Sequence, residues 1–220
     1  MNLQQKLRFF VGESRGLTRL ERLIIDLKES SSSLTTLNLV RRGLGEDGGV
    51  AVAGALEMNS SLTTLNLGYN RLGERGGAAV AGALTTNSSL TTLNLNSNGL
   101  RAVGGAAVAG ALTTNSSLMT LDLEGNHLRE GLGVNLANAL ERNTTLTTLN
   151  LGGNRLGEVG GMNLANALER NTTLTELSLY GNGVGDETME RVRRLLSKRR
   201  VLEPIGAFKA VVSPEKRAKN

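Results

Sequence analysis

A leucine returns at the same phase of this chain six times, at Leu34, Leu62, Leu90, Leu118, Leu146 and Leu174, each 28 residues after the last. The stretch LTTLNLGYNRLGERGGAAVAGALTTNSS, from Leu62 to Ser89, is the pattern on which the others are variations. A fixed period of this size marks a solenoid whose units touch only their neighbours, and six units exceed the roughly three needed to bury a continuous core. No insertion or deletion interrupts the series, so the units are expected to stack into a regular arc. The 220 residues then form one elongated body with no globular centre.

Within a repeat the first half reads as a short strand. Leu65 and Leu67 alternate with Thr64, Asn66 and Gly68, the period of two that belongs to a strand with one buried face. Asn70 follows, with equivalents at Asn98, Asn126, Asn154 and Asn182. A side-chain amide satisfies the backbone groups of a tight turn, so these five predict a structural asparagine ladder shared between successive turns. Arg42 holds that place in the first repeat, where a long charged side chain does not fit, and the first turn is therefore expected to be irregular or to face solvent.

The second half reads as a helix. Val52, Val80, Val108, Leu136, Leu164 and Val192 share one position, and Leu56, Leu84, Leu112, Leu140, Leu168 and Leu196 come four residues later on the same face. Gly76 and its equivalents read as the opening of this segment, and Asn87 and its equivalents as its close. The first three helices carry AVAGAL with Gly54, Gly82 and Gly110 inside, and are expected to be looser than the NLANAL helices at 135–140 and 163–168.

Composition narrows the function classes. Aromatic residues make up 2% of the chain and tryptophan is absent, which suits a core of Leu, Val, Ile and Ala repeated in thin layers. The absence of cysteine excludes disulfides and thiolate metal sites, and neither a metal nor a cofactor is expected. Gly43-Leu44-Gly45-Glu46-Asp47-Gly48-Gly49 has the composition of a phosphate loop, yet it recurs once per repeat and no Gly-Lys-Ser/Thr follows it. Asn59-Ser60-Ser61 and its equivalents at 87–89, 115–117, 143–145 and 171–173 match the glycosylation acceptor pattern, but they recur at one phase and read as turn chemistry. MNLQQKLRFFVGESRG lacks the apolar run of a signal peptide, and no window has the length of a membrane span, so a cytoplasmic or nuclear monomer is expected.

Charge is unevenly spread. Residues 1–30 hold six basic and four acidic groups (+2), residues 31–187 nine and thirteen (−4), and residues 188–220 ten and three (+7). The repeat body is mildly acidic and the high pI belongs to the C-terminal end, so a general nucleic-acid or membrane-binding surface is not what the net charge describes. The chain divides into an N-terminal helical cap over 1–30 with the stripe Leu17, Leu20, Leu23, Ile24 and Leu27, six repeats over 31–200, and a tail over 201–220. Ile205, Phe208 and Val211 of that tail are expected to fold back on the last repeat, and 213–220 to be disordered.

The pattern LxxLxLxxNxL followed by a Gly-rich turn and a helix, at 28 residues, resembles the ribonuclease-inhibitor-type leucine-rich repeat over residues 34–200. The resemblance implies an α/β solenoid, a horseshoe with a parallel concave sheet and helices on the convex side, and a non-enzymatic body that binds proteins. Similar repeats occur in ribonuclease inhibitor, nucleotide-binding immune receptors and the Ran GTPase-activating protein. The cysteine frequent at the family's ladder position is replaced throughout by asparagine.

Departures from the repeat are the candidate partner-binding residues, since interfaces favour Tyr and Arg anchors. On the sheet these are Asp122, Glu124, Glu176 and Tyr180; on the loops, Tyr69, Arg71, His127, Arg129 and Arg155. Asp122 and Glu124 alternate onto one face, as a hydrolase pair would, but nothing else supplies a pocket. His127 has no nucleophile specified beside it. The last helix places arginines where the others have Ala, Gly or Asn, giving a basic patch of Arg191, Arg193, Arg194, Lys198, Arg199 and Arg200. A terminal repeat needs such a polar face as a cap; a polyanion or nuclear-import patch is the alternative. The reading is a scaffold that binds a protein through its concave sheet and adjoining loops. A GTPase-activating regulator of the Ran-activating type is one alternative, and an adaptor for nucleic acid or an anionic surface through the basic C-terminal segment is another.

Overall fold

The computed structural model describes residues 34–200. The expected N-terminal cap over 1–30 and the tail over 201–220 lie outside the described residues. Six strands alternate with six helices: β1 Thr36–Asn38, α1 Gly45–Leu56, β2 Thr64–Asn66, α2 Gly73–Leu84, β3 Thr92–Asn94, α3 Arg101–Leu112, β4 Thr120–Asp122, α4 Gly131–Arg142, β5 Thr148–Asn150, α5 Gly157–Arg170, β6 Glu176–Ser178 and α6 Asp186–Arg200. The strands form one parallel sheet in the order of the chain. Its register sets equivalent residues side by side, Leu37 against Leu65, Leu65 against Leu93 and so on. Each repeat position thereby becomes a column across the sheet. Strands sit about 4.8 Å apart whereas packed helices need about 8–10 Å, so the body must bend with the sheet inside the arc.

The leucines that define the pattern are the core. Leu62, Leu65, Leu67, Leu72, Val80 and Leu84 are all fully buried in one repeat, and the same positions are buried along the solenoid. The two ends loosen: Leu34 in the first repeat and Leu177 and Leu196 in the last are half-buried.

Four of the six helices, α1, α2, α3 and α5, begin three residues before Gly76 and its equivalents Gly48, Gly104 and Gly160. Gly73, at φ +62, makes the entry, and its N–H reaches the carbonyl of Asn98 in the next turn. Gly76 lies inside the helix because the backbone of the preceding helix passes there: a Cβ on it would come 3.1 Å from the Glu46 carbonyl oxygen. A Cβ on Gly133 would lie 2.4 Å from the Gly160 Cα. These glycines set the approach of neighbouring helices, and they do not cap them.

Asn70, Asn98, Asn126, Asn154 and Asn182 are buried at the sheet end of each turn. The Asn126 Nδ2 donates to the carbonyls of Leu95 and Leu123, both at 2.9 Å, and of Glu124. Its Oδ1 accepts from the backbone N–H of Asn98 at 2.9 Å and of Leu100. Each rung therefore holds both its own turn and the turn before it. In the first turn, which lacks an asparagine, Asn70 alone serves the carbonyl of Leu39 and the N–H of Arg42, and the Arg42 side chain is exposed.

A second ladder closes the helix ends. Asn143 donates from Nδ2 to Leu112 at 2.8 Å and to Asn115, and accepts on Oδ1 from the N–H of Thr145 and Leu146. Asn87, Asn115 and Asn171 repeat this arrangement. The glycosylation-like tripeptides are thus structural turns whose asparagines are buried. In the last repeat Arg199 takes the place of the asparagine, and its guanidinium donates to the carbonyls of Leu168, Asn171 and Leu174.

Candidate functional site

The sheet face departs from its repeating Thr and Asn columns on β6, where Glu176 and Ser178 stand, and at its centre. There β4 ends in Asp122, and Glu124 follows on the same side. The Asp122 Oδ2 accepts from Asn94 Nδ2 at 3.1 Å, and its Oδ1 accepts from the N–H of Glu124 at 3.0 Å. Glu124 Oε2 accepts from Asn150 Nδ2 at 3.0 Å. The register makes this possible, since Asn94, Asp122 and Asn150 stand opposite one another on adjacent strands.

Tyr180 completes the cluster from two repeats away. A Cβ on Gly152 would lie 2.3 Å from Tyr180 Cε1, so the ring lies across the glycine. Its hydroxyl donates to Glu124, and the phenol is pushed up to about 12. The hydrogen bond to Glu124 is the first cause, followed by burial and the charges of Glu124 and Asp122. Burial raises the pKa of Asp122, against the backbone hydrogen bond from Glu124. Two carboxylates with two asparagine donors and a tyrosine form a polar, hydrogen-bonding centre on a largely repetitive surface. Among the described residues no group of three or more His, Asp or Glu converges to hold a metal.

The other sequence candidates are distributed elsewhere. Tyr69 sits on the second turn, 46% exposed, with the Arg41 guanidinium 4.7 Å from its ring centroid. Arg71, His127, Arg129 and Arg155 are exposed on the turns between strand and helix, and none hydrogen-bonds to the sheet cluster. Glu176 lies on β6 in a shallow groove with Thr148, Ser178, Arg193 and Ser197.

The basic patch on α6 is divided by its bonds. Arg191 pairs with Glu169 at 2.6 Å and Arg193 with Glu190 at 3.3 Å, while Arg194 and Lys198 are exposed. The guanidinium of Arg199 is spent on backbone carbonyls, so this residue closes the helix-end ladder. Arg200 ends the helix, and its side chain lies outside the described residues. Glu158 of α5 holds the start of α6: its carboxylate accepts from the Gly185 N–H and the Thr188 hydroxyl, and these bonds lower its pKa, that from Thr188 most.

Three participants had no place among the candidates. Asn94 and Asn150 belong to a column that looks like plain solvated surface, and only the register against Asp122 gives them a role. Arg41 falls in the irregular first turn; its signal is that the equivalent positions 125, 153 and 181 are glycine.

Four stretches, residues 59–81, 86–109, 142–165 and 170–190, match the leucine-rich repeat family profile. The chain is a leucine-rich repeat protein. The leucine-rich repeat body is similar in structure to the tropomodulin C-terminal domain of Caenorhabditis elegans, with a TM-score of 0.58 and 16% identity over 84% of this chain and 95% of that one. It is also similar to the actin-binding site 2 of leiomodin-1, with a TM-score of 0.56 and 21% identity over 84% and 92%. No curated protein sequence matches it. Among the described residues no helix is long and apolar enough to cross a membrane.

Proposed function

We propose that this leucine-rich repeat protein is a non-catalytic scaffold that docks a protein partner on the sheet face, centred on Asp122, Glu124 and Tyr180. The observation that carries the reading is a break in the repeating columns: these three residues, with Asn94 and Asn150, form one hydrogen-bonded group on a surface made largely of Thr, Asn and Gly. Tyr180 is 53% exposed, so a large aromatic face remains available to a partner. The parallel sheet with full helices behind it suits the ribonuclease-inhibitor-like arrangement. A solved domain of similar fold is named as an actin-binding site of leiomodin-1, which supports protein binding as a use of such a body and leaves the partner here to be determined.

The test is affinity capture from the source cells with the wild-type chain and with Asp122→Lys and Tyr180→Ala, each checked for unchanged circular dichroism. A specific partner retained by the wild type and lost from both variants is expected. A partner held equally by all three would remove the sheet face from the reading.

A further inference from the structure

The turns between strand and helix pass through the left-handed region at three equivalent positions, and every positive-φ residue among those described falls at one of them. Nine of these residues are glycine, for which the conformation is free, and eight are not. Asn and Asp are the side chains that usually replace glycine there, because they bond their own backbone, yet neither occurs among the eight. Five are arginine: Arg41, Arg71, Arg101, Arg129 and Arg155, one in each of the first five turns. The fold asks for glycine at these places, so the arginines answer another requirement.

Their surroundings indicate what it is. All five are exposed. Arg41 stacks on Tyr69, whereas the guanidiniums of Arg71, Arg101, Arg129 and Arg155 form no ion pair among the described residues. The nearby carboxylates belong to the first turns of the helices and are engaged otherwise where they pair at all: Asp47 with Arg75, Glu158 with the start of α6. Residues 31–187 carry a net −4, but six of their nine basic groups, Arg42 included, stand on this one edge. The result is a file of guanidiniums, one in each of the first five turns and four of them unpaired, along an acidic body.

We infer that this edge is a second binding surface, which takes an extended acidic polypeptide segment running across the repeats, each arginine meeting a carboxylate. The inference rests on the protein-binding reading above and specifies its chemistry at a different surface. Planar guanidiniums pair with discrete carboxylates in a bidentate way. A nucleic-acid strand fits less well, since the edge offers no row of aromatic rings on which bases could stack. Tyr69 is the one aromatic there, and Arg41 already covers it.

The experiment measures fluorescence anisotropy of a fluorescein-labelled oligoglutamate peptide with the full chain, with oligolysine and oligothymidylate as comparators. The decisive variant combines Arg71→Gly, Arg101→Gly, Arg129→Gly and Arg155→Gly, which gives these positions the residue their equivalents already use and should leave the fold intact or firmer. Salt-sensitive binding of oligoglutamate is expected, weakened roughly tenfold or more in the variant, with Tyr180→Ala unchanged. Equal affinity in the quadruple variant, preference for oligothymidylate, no salt-sensitive binding by the wild type, or loss of binding in Tyr180→Ala would each overturn the inference. Retained oligoglutamate binding alongside failed partner capture would break the sheet-face reading alone.

Discussion

At five of the six turns of the solenoid two consecutive residues are under opposite rules. The first is Asn70, Asn98, Asn126, Asn154 or Asn182, buried and bonded on every side; the second is Arg71, Gly99, His127, Arg155 or Gly183, at positive φ and facing solvent. One position admits a single side chain because five backbone groups depend on it. Its neighbour admits anything the backbone tolerates, and there the chain repeatedly chooses a costlier residue than glycine. A repeat protein separates, within two residues, what its fold requires from what is left for a partner.

The contrast can be broken from either side. Asn126→Leu strands backbone groups of two turns, and a loss of about 1–3 kcal/mol is expected in chemical denaturation; an unchanged curve would end the ladder account. At the helix ends, Arg199→Ala uncovers three carbonyls and is expected to cost on the order of 1 kcal/mol, while Arg194→Ala on the same helix, exposed and unpaired, leaves the melting curve where it was. Equal effects of the two would return Arg199 to the surface patch. On the permissive side, Arg155→Gly relieves a left-handed backbone and should raise stability by roughly 0.5–1 kcal/mol, a direction opposite to that of most substitutions.

The smallest effect concerns the sheet centre. In a Tyr69→Phe background Tyr180 is the one remaining tyrosine, and its absorbance titration is expected near the value of about 12 set first by the bond to Glu124. Adding Glu124→Gln removes the charge and should bring the midpoint down. Because the folded-state value lies above the ordinary 10.0, the stabilisation this phenol contributes is complete below that pH and fades as pH rises through the folded value. No downward movement in the variant would detach Tyr180 from Glu124.

Strand placement, the inward leucines and the alternation that puts Asp122 and Glu124 on one face were legible from the sequence, because a period of two inside a period of 28 leaves little choice. Four helix starts were displaced by three residues for a physical reason. A pair such as Gly76–Gly77 signals a neighbouring backbone as well as it signals a chain turn, and only the packed helices distinguish the two. The Asn-Ser-Ser triplets announced a turn, but not that the amide of Asn87 reaches 31 residues back to Leu56. At the candidate site, the pairing of Tyr180 with Glu124 depends on a ring laid over Gly152, a direction taken across strands that no spacing along the chain encodes.

The rung of each turn grips the backbone 28 residues earlier with the same atoms at every step. Removal of one unit between equivalent positions, Asn98 through Gly125 for instance, would bring Asn126 to the place of Asn98, where it meets the same acceptors and donors. Body length is thus an adjustable quantity in whole repeats. A chain shortened or lengthened in this way keeps its ladders and changes only which side chains of the edge and the sheet stand next to each other.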